Sequence, residues 1–429
     1  MSLNSELQIR KDKVIPRGLG NMVPVYIDKA DNAELWDVEG NRYIDFGAGI
    51  AVVNTGHNHP KVKAAVIKQL DKFTHTCFMV TPYESGVELA EKLTAIAPIS
   101  GPTKAIYVTT GAEAVENCIK IARAHTGRRG VIAFNGGFHG RTNMTMGLTG
   151  KIVPYKHEFG PFPGDIYHAP YPIDYHNISI EQSIDSLKTL MKVAIAPEDI
   201  AAIIIEPVQG EGGFYQAPKA FLEALRAICD EHGIVLIADE IQTGYARTGK
   251  MFCMEHSGVE ADLMTMAKGI AGGYPLAAVV GKAHMMDAPS PGGLGGTYAG
   301  SPISIAAALA VLDVIEEQDL VNRAVEIGDK FVGRLNSFKE DYPNTVGNVR
   351  NTGAMIAMEL VEEGDANKPN PLLTKSLISA ASKKGLILLS CGIRGNVIRF
   401  LPPLTISNEL INEGLDIVKE CLQEANVSY

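Results

Sequence analysis

The chain has 429 residues, 46% hydrophobic and 21% charged, which suits a globular protein of one large domain plus a smaller one. A net charge of −10 at pH 7 argues against a nucleic-acid surface. Six cysteines (Cys77, Cys118, Cys229, Cys253, Cys391 and Cys421) are scattered with no C-x-x-C pair, so they read as buried thiols in a reducing compartment.

At the N-terminus, MSLNSELQIRKDK holds no apolar core of a secretory signal, and a cytoplasmic location is expected. Residues 35–46, LWDVEGNRYIDF, read as a hairpin turning near Gly40-Asn41. The glycine-rich GAGIAVVNTGHNHP follows, and a helix is predicted from Pro60. Strands and helices then alternate. Residues 105–109 are a predicted strand, 112–125 a helix with Val115, Cys118, Ile119 and Ala122 on one face, and 131–134 a strand. The clearest unit covers 201–239: the strand AAIIIEP, a helix through APKAFLEALRAICDEHG closed by Gly233, and the strand IVLIADE. Such units make right-handed βαβ crossovers and a mostly parallel, doubly wound sheet, here in a large domain at residues 61–309.

Composition changes after the helix 303–317, whose aliphatic part, 303–312, is too short to span a bilayer. Helices are predicted at 321–341, 372–384 and from about Ser407, with strands at 354–360, 386–389 and 397–401. EEGDANKPNP, 362–371, reads as a polar loop. This is a smaller α+β domain at 310–429, expected to share its layer with residues 1–60.

The apolar runs 234–238 and 263–267 each stop at charge, Asp239 with Glu240 after the first and Lys268 after the second. In an open parallel sheet, side chains just past the strand carboxyl ends face the ligand crevice. A lysine there is desolvated, which leaves more free amine for imine formation. A buried carboxylate at Asp239 needs a cation, and a protonated pyridine nitrogen is one. Gly111 and Ala112 open a helix, where free amides and the helix dipole favour phosphate. Neither G-x-x-x-x-G-K-[ST] nor a helix-opening G-x-G-x-x-G is present, so a mononucleotide-sized phosphate ligand remains. Phe138 can stack on a planar ring, and Arg141 can fork a carboxylate. His57 and His59 lack a carboxylate or cysteine cluster and read as loop or helix-capping residues rather than metal ligands. Glu206 reads as a supporting hydrogen-bond partner.

GAEAVENCIKIAR, FHGRT, IIIEPVQGEGG, LIADEIQTGYARTG, AKGIAGGYPL and GGTYAGSPI occur in the order found in the class III aminotransferases, and the chain resembles that family from about Pro16 onward. These are fold-type I enzymes dependent on pyridoxal 5′-phosphate (PLP). Within the class, GAGIAVVNTGHNHP, THTCF, LGGTYAG, NKP and LILLSCG resemble the bacterial 4-aminobutyrate (GABA) subgroup. The resemblance implies that Lys268 holds PLP as an aldimine and shuttles the proton, and that Asp239 pairs with the ring nitrogen. It places the phosphate on Gly111 and Ala112, the ring face on Phe138 and the ring hydroxyl on Gln242. Thr297 would reach the phosphate of a partner subunit's cofactor, giving a homodimer or a dimer of dimers.

On the substrate side, the resemblance assigns the distal carboxylate to Arg141, with Ile50 lining the same pocket where ornithine-specific relatives carry tyrosine. Arg399 would take the α-carboxylate of 2-oxoglutarate and glutamate, with Glu211 masking it while GABA is bound. The chain departs from many relatives at Ala112 and Phe138, where serine or threonine and tyrosine are common; each change removes a hydroxyl contact and leaves the amides or the ring. The implied reaction is ping-pong transfer from GABA to 2-oxoglutarate, giving succinate semialdehyde and glutamate. Alternatives are the same chemistry on 5-aminovalerate, ornithine or N-acetylornithine, or a non-catalytic protein that keeps the fold. No metal, nucleic acid or membrane is expected.

Overall fold

The computed structural model describes residues 2–427. At its centre is a seven-stranded sheet built from Thr103–Val108 (β1), Gly130–Phe134 (β2), Ile166–Ala169 (β3), Ile200–Ile205 (β4), Val235–Asp239 (β5), Leu263–Met266 (β6) and Ala277–Lys282 (β7), in the order β1-β7-β6-β5-β4-β2-β3. β7 runs antiparallel to both its neighbours, and every other pairing is parallel. Strands covered on both faces read as continuous apolar runs, and β4 and β5 are buried at every residue. The sheet is thus the predicted mostly parallel α/β sheet.

β7 has no counterpart among the predicted elements. Its sequence, AAVVGK, is a short run of small apolar residues with no period to separate strand from helix, and pairing with β1 and β6 is what makes it a strand.

The covering helices follow their apolar stripes. Lys219–His232 buries Phe221, Leu222, Leu225, Ile228 and Cys229 and ends at Gly233, whose φ of 62° is the left-handed conformation that favours glycine. Gly111–Thr126 buries Val115, Cys118, Ile119 and Ala122 as the spacing predicts. No described helix is long and apolar enough to cross a membrane.

The two ends of the chain meet in smaller sheets. Ile27–Asp31, Glu34–Asp37 and Arg42–Asp45 form an antiparallel meander, and Leu386–Ile387 adds to it in parallel, with Leu386 opposite Ile44. A second sheet joins Val346–Thr352, Met355–Glu362, Val397–Phe400 and Leu389–Cys391. The strand predicted at 386–389 is therefore two strands in two sheets. The predicted loop 362–371 is also corrected: Asp365–Pro369 pairs with Met355–Glu362. Glu363 and Gly364 turn between them with φ of 54° and 72°, the left-handed pair that a tight hairpin demands.

Glu359 ties this sheet to the segments that follow β3 and β4. Wholly buried, it accepts from the Tyr215 hydroxyl (2.7 Å), Arg350 Nη1 (2.8 Å) and Asn396 Nδ2 (3.3 Å), and His176 Nε2 lies 3.2 Å away. Burial pushes its pKa up, but the hydrogen bond from His176, the charge of Arg350 and the Tyr215 hydroxyl outweigh it and hold the carboxyl at about 2. A depressed carboxyl contributes stability that is complete above its unfolded pKa and lost as pH falls through the folded value. The Glu359 contribution is thus present above about pH 4.5 and drains away towards pH 2. Glu359→Gln is expected to cost about 1.5–3 kcal/mol at neutral pH and to flatten the acid limb of stability, as read by urea denaturation at several pH values. An unchanged acid limb would refute this account of Glu359.

Candidate functional site

Because β5, β6 and β1 point the same way, their carboxyl ends open on one crevice. A cavity of about 360 Å³ lies there, walled in part by Gly111, Ala112, Phe138, Glu211, Asp239, Gln242 and Lys268. His139, Glu206 and Val52 complete the part that matters below. The predicted Ile50, Arg141, Thr297 and Arg399 are not in that wall.

Asp239 and Glu240 are adjacent in sequence and diverge in space. Asp239, 3% exposed, faces the cavity. Its Oδ1 accepts from Thr265 Oγ1 (2.9 Å) and the Ile241 amide (3.2 Å), and its Oδ2 lies 2.7 Å from His139 Nδ1. Glu240 points into the protein, where the Thr243 hydroxyl and the Cys253 and Met254 amides satisfy it, and burial raises its pKa to about 7. Only the first can serve a ligand.

Lys268 follows β6 in a short 3₁₀ turn, Lys268–Ala271, with a φ of 47°. A non-glycine residue held in the left-handed region is strained, and such strain gathers at functional sites. Gly269 belongs to the reason: a Cβ there would come within 2.5 Å of the Asn54 amide nitrogen. Burial lowers the Lys268 pKa against the opposing pull of Glu211, Asp239 and Glu206, which enlarges the fraction of free amine.

At the end of β1, Thr110 caps the helix Gly111–Thr126. Its Oγ1 accepts the Glu113 amide at 3.3 Å, and the Glu113 carboxylate accepts the Thr109 and Thr110 amides at 2.6 and 3.2 Å. The first-turn amides of Gly111 and Ala112 are left to face the cavity end.

Glu206, past the end of β4, is a positioning residue in this geometry: its carboxylate accepts the Phe138 amide (2.7 Å) and the Gly210 amide (2.9 Å). Burial raises its pKa to about 7, with the His139 charge opposing and Asp239 adding to the rise. Burial alone would lower the His139 pKa, but the hydrogen bond and charge of Asp239, with Glu206, raise it instead. In the sequence His139 lies within FHGRT with no local signal of its own. Its separation of 100 positions from Asp239 hides the pairing.

Arg399, 0% exposed, reaches the cavity through Glu211: its Nη1 lies 2.5 Å from Glu211 Oε1, while Arg399 Nε and Nη2 are buried with no hydrogen-bond partner among the described residues. Tyr155, which sequence reasoning did not single out, donates to Glu211 Oε2 at 3.2 Å. Arg141 is exposed and stacks over Tyr155 and Phe138, at 4.8 and 5.9 Å from the ring centroids. Ile50 sits in a left-handed turn: Ala48, Gly49, Ile50 and Ala51 have φ of 46°, 62°, 67° and 57°. The Asp45 carboxylate holds that turn, accepting the Gly47 and Ala48 amides at 2.8 and 2.9 Å with His57 Nε2 at 2.9 Å. His59 occupies the cap position before Pro60. Thr297 is exposed. Among the described residues no group of three or more histidine, cysteine or acidic side chains could hold a metal ion.

Comparison with known proteins shows the family. The chain is 54% identical to the 4-aminobutyrate aminotransferase GabT of Escherichia coli, over 99% of this chain and 100% of that protein. It is also 54% identical to the 5-aminovalerate aminotransferase DavT of Pseudomonas putida, over 98% and 99% of the two chains. Among solved structures, a Bacillus anthracis aminotransferase superposes with a TM-score of 0.91 at 28% identity, covering 99% of this chain and 100% of that one. The ornithine aminotransferase of Toxoplasma gondii gives 0.88 at 27% identity, covering 100% and 97%. The model of the family "Aminotransferase class-III" matches residues 14–422, and with those relatives it shows that this chain is an enzyme of the class III, PLP-dependent aminotransferases.

Proposed function

We propose that the enzyme moves the amino group of 4-aminobutyrate to 2-oxoglutarate, giving succinate semialdehyde and glutamate, with PLP held in the cavity at the strand ends. The residues there fit that cofactor. Gln242 Oε1 is buried and has no partner among the described residues, ready to accept from a ring hydroxyl, and Asp239 is fixed by Thr265 and His139 so that it can meet a protonated ring nitrogen. The Gly111 and Ala112 amides suit a phosphate, Phe138 a ring face, and the Lys268 amine a covalent tether. When bound, PLP supplies an electron sink that stabilises negative charge on the carbon losing its amine.

The chain's own residues do the rest. Lys268, with its lowered pKa, can take a proton at Nζ and return it to a neighbouring carbon. Asp239 would meet the ring nitrogen with its carboxylate, and its contact with His139 fixes its direction. Arg141 anchors the distal carboxylate of either substrate, and Ile50 bounds the chain beside it.

One observation carries the choice of a donor without an α-carboxylate and an acceptor with one: the buried Arg399–Glu211 pair with its two spare Arg399 nitrogens. GABA has no α-carboxylate, and Glu211 neutralises Arg399 while it is bound. 2-Oxoglutarate has one, and Arg399 can take it bidentately once Glu211 moves aside. A second reading, 5-aminovalerate as donor, has the support of the equal identity to DavT. One methylene in an apolar pocket is worth only ~1–3 kcal/mol, so the two donors are expected to differ by no more than about 10–200-fold in kcat/KM. Measuring kcat/KM for GABA, 5-aminovalerate, ornithine and N-acetylornithine with 2-oxoglutarate decides between them. A higher value for 5-aminovalerate would replace GABA, and activity confined to ornithine would sink both readings.

The working unit is a homodimer in this reading, with Thr297 serving the partner's phosphate. Its support is the exposed Met79, Val80 and Tyr298, apolar surface that a second copy would cover. Light scattering that gave only one 46.0 kDa chain would exclude it.

A further inference from the structure

The Arg399–Glu211 pair poses a problem that the proposed donor and acceptor make acute. Each turnover must free Arg399 for an α-carboxylate and then mask it again. Glu211 is only 15% exposed, so a carboxylate pulled from Arg399 stays largely desolvated and needs another partner. Tyr155 supplies one neutral hydrogen bond and no charge.

Three cations stand near. Lys268 is reserved for the tether and the proton. Arg141 is stacked on Tyr155 and Phe138 and carries the distal carboxylate in the reading above. The third is Lys151, which no part of that mechanism uses. It is half-buried, four residues before Tyr155. Its ammonium donates to the Gly392 carbonyl at 2.9 Å, and the Gly392 amide donates to the Glu211 carbonyl at 2.9 Å. Lys151 and Glu211 thus bracket one residue, Gly392. The ammonium has three donors and the described contact uses one of them. Burial lowers its pKa, with Glu211 the leading charge opposing that.

Resting on the donor and acceptor assigned above, we propose that Lys151 is the second station of Glu211: a positioning residue that receives the carboxylate when an α-carboxylate substrate takes Arg399. The lysine does not touch substrate. It lowers the cost of opening the gate, so it acts on glutamate and 2-oxoglutarate and leaves out the amines that bind with the gate shut. A flexible, compact ammonium suits a partner that is engaged and released in every cycle.

The test compares half-reactions of the PLP-loaded enzyme with glutamate, GABA and 5-aminovalerate in the parent, K151M, K151R, E211Q and the E211Q/K151M double variant. K151M is expected to lower kcat/KM for glutamate relative to the donors without an α-carboxylate by about tenfold or more, chiefly through KM. K151R is expected to recover most of it. With E211Q there is no charge to relocate, so adding K151M should change that ratio by less than about twofold. A K151M effect of equal size in the E211Q background would mean that Lys151 binds the substrate itself, and would overturn the proposal. Equal losses on all three amines, or no loss, would overturn it too. Should the parent use 5-aminovalerate but not GABA, the donor assignment falls while the Lys151 ratios still decide this inference; a parent inert to both would sink the two together.

Discussion

Lys268→Ala is expected to lower kcat for amino transfer by at least the ~10²–10⁴-fold typical of a lost general acid/base, with a further loss from the missing tether. The reason lies in how the chain presents the amine. β6 ends in the buried run LMTM, and the chain then turns through a residue with φ of 47°, so Nζ is delivered to the cavity wall beside Asp239. Lys268→Arg separates charge from chemistry. It keeps the cation but has no amine that can deprotonate at working pH, so it should fail as badly as alanine. Circular dichroism and melting temperature close to the parent would place the loss in the chemistry. Turnover of either variant near the parental rate would remove Lys268 from its proposed role.

Arg399→Met carries the second largest effect. Removing one partner of a buried, hydrogen-bonded charge pair costs about 2–5 kcal/mol, so kcat/KM for 2-oxoglutarate should fall by about 30- to 4,000-fold. The GABA half-reaction should lose far less, because GABA places no carboxylate there. Glu211 complicates the single variant: with Arg399 gone, its unpaired carboxylate repels the incoming oxo acid. Adding Glu211→Gln to Arg399→Met should therefore restore part of the 2-oxoglutarate rate, a non-additivity expected of residues in one pair. Parallel losses for GABA and 2-oxoglutarate in steady-state and single-turnover measurements would show that Arg399 does not discriminate between them.

The elements whose packing follows a local pattern were legible in the sequence. The helix Lys219–His232 could be read from Phe221, Leu222, Leu225, Ile228 and Cys229 and from its closing Gly233, because a helix buries every third or fourth residue and ends where φ turns positive. β4 and β5 could be read as well, since parallel strands are apolar throughout. β7 and the Asp365–Pro369 strand could not, because their identity comes from partners supplied elsewhere in the chain. The split of 386–391 between two sheets is of the same kind.

The strand-end residues of the candidate site, Asp239 and Lys268, stood out because charge interrupts an apolar run. Their supports did not. His139 and Thr265 meet Asp239, Tyr155 meets Glu211, and Lys151 reaches Gly392, each over a sequence separation that no local rule spans. The left-handed turn at Ala48–Ala51 was equally hidden. GAGIA has no glycine at three of its four left-handed positions, and the Asp45 carboxylate that secures it is itself fixed by His57.

The most direct test of the account adds GABA, without any oxo acid, to the PLP-loaded enzyme. Succinate semialdehyde and the cofactor absorbance are then followed together. The proposed transfer gives one equivalent of succinate semialdehyde per chain, a matching loss of the absorbance of the tethered cofactor, and arrest until 2-oxoglutarate restores the absorbance and lets turnover resume. No aldehyde, or an absorbance that GABA leaves unchanged, would contradict it.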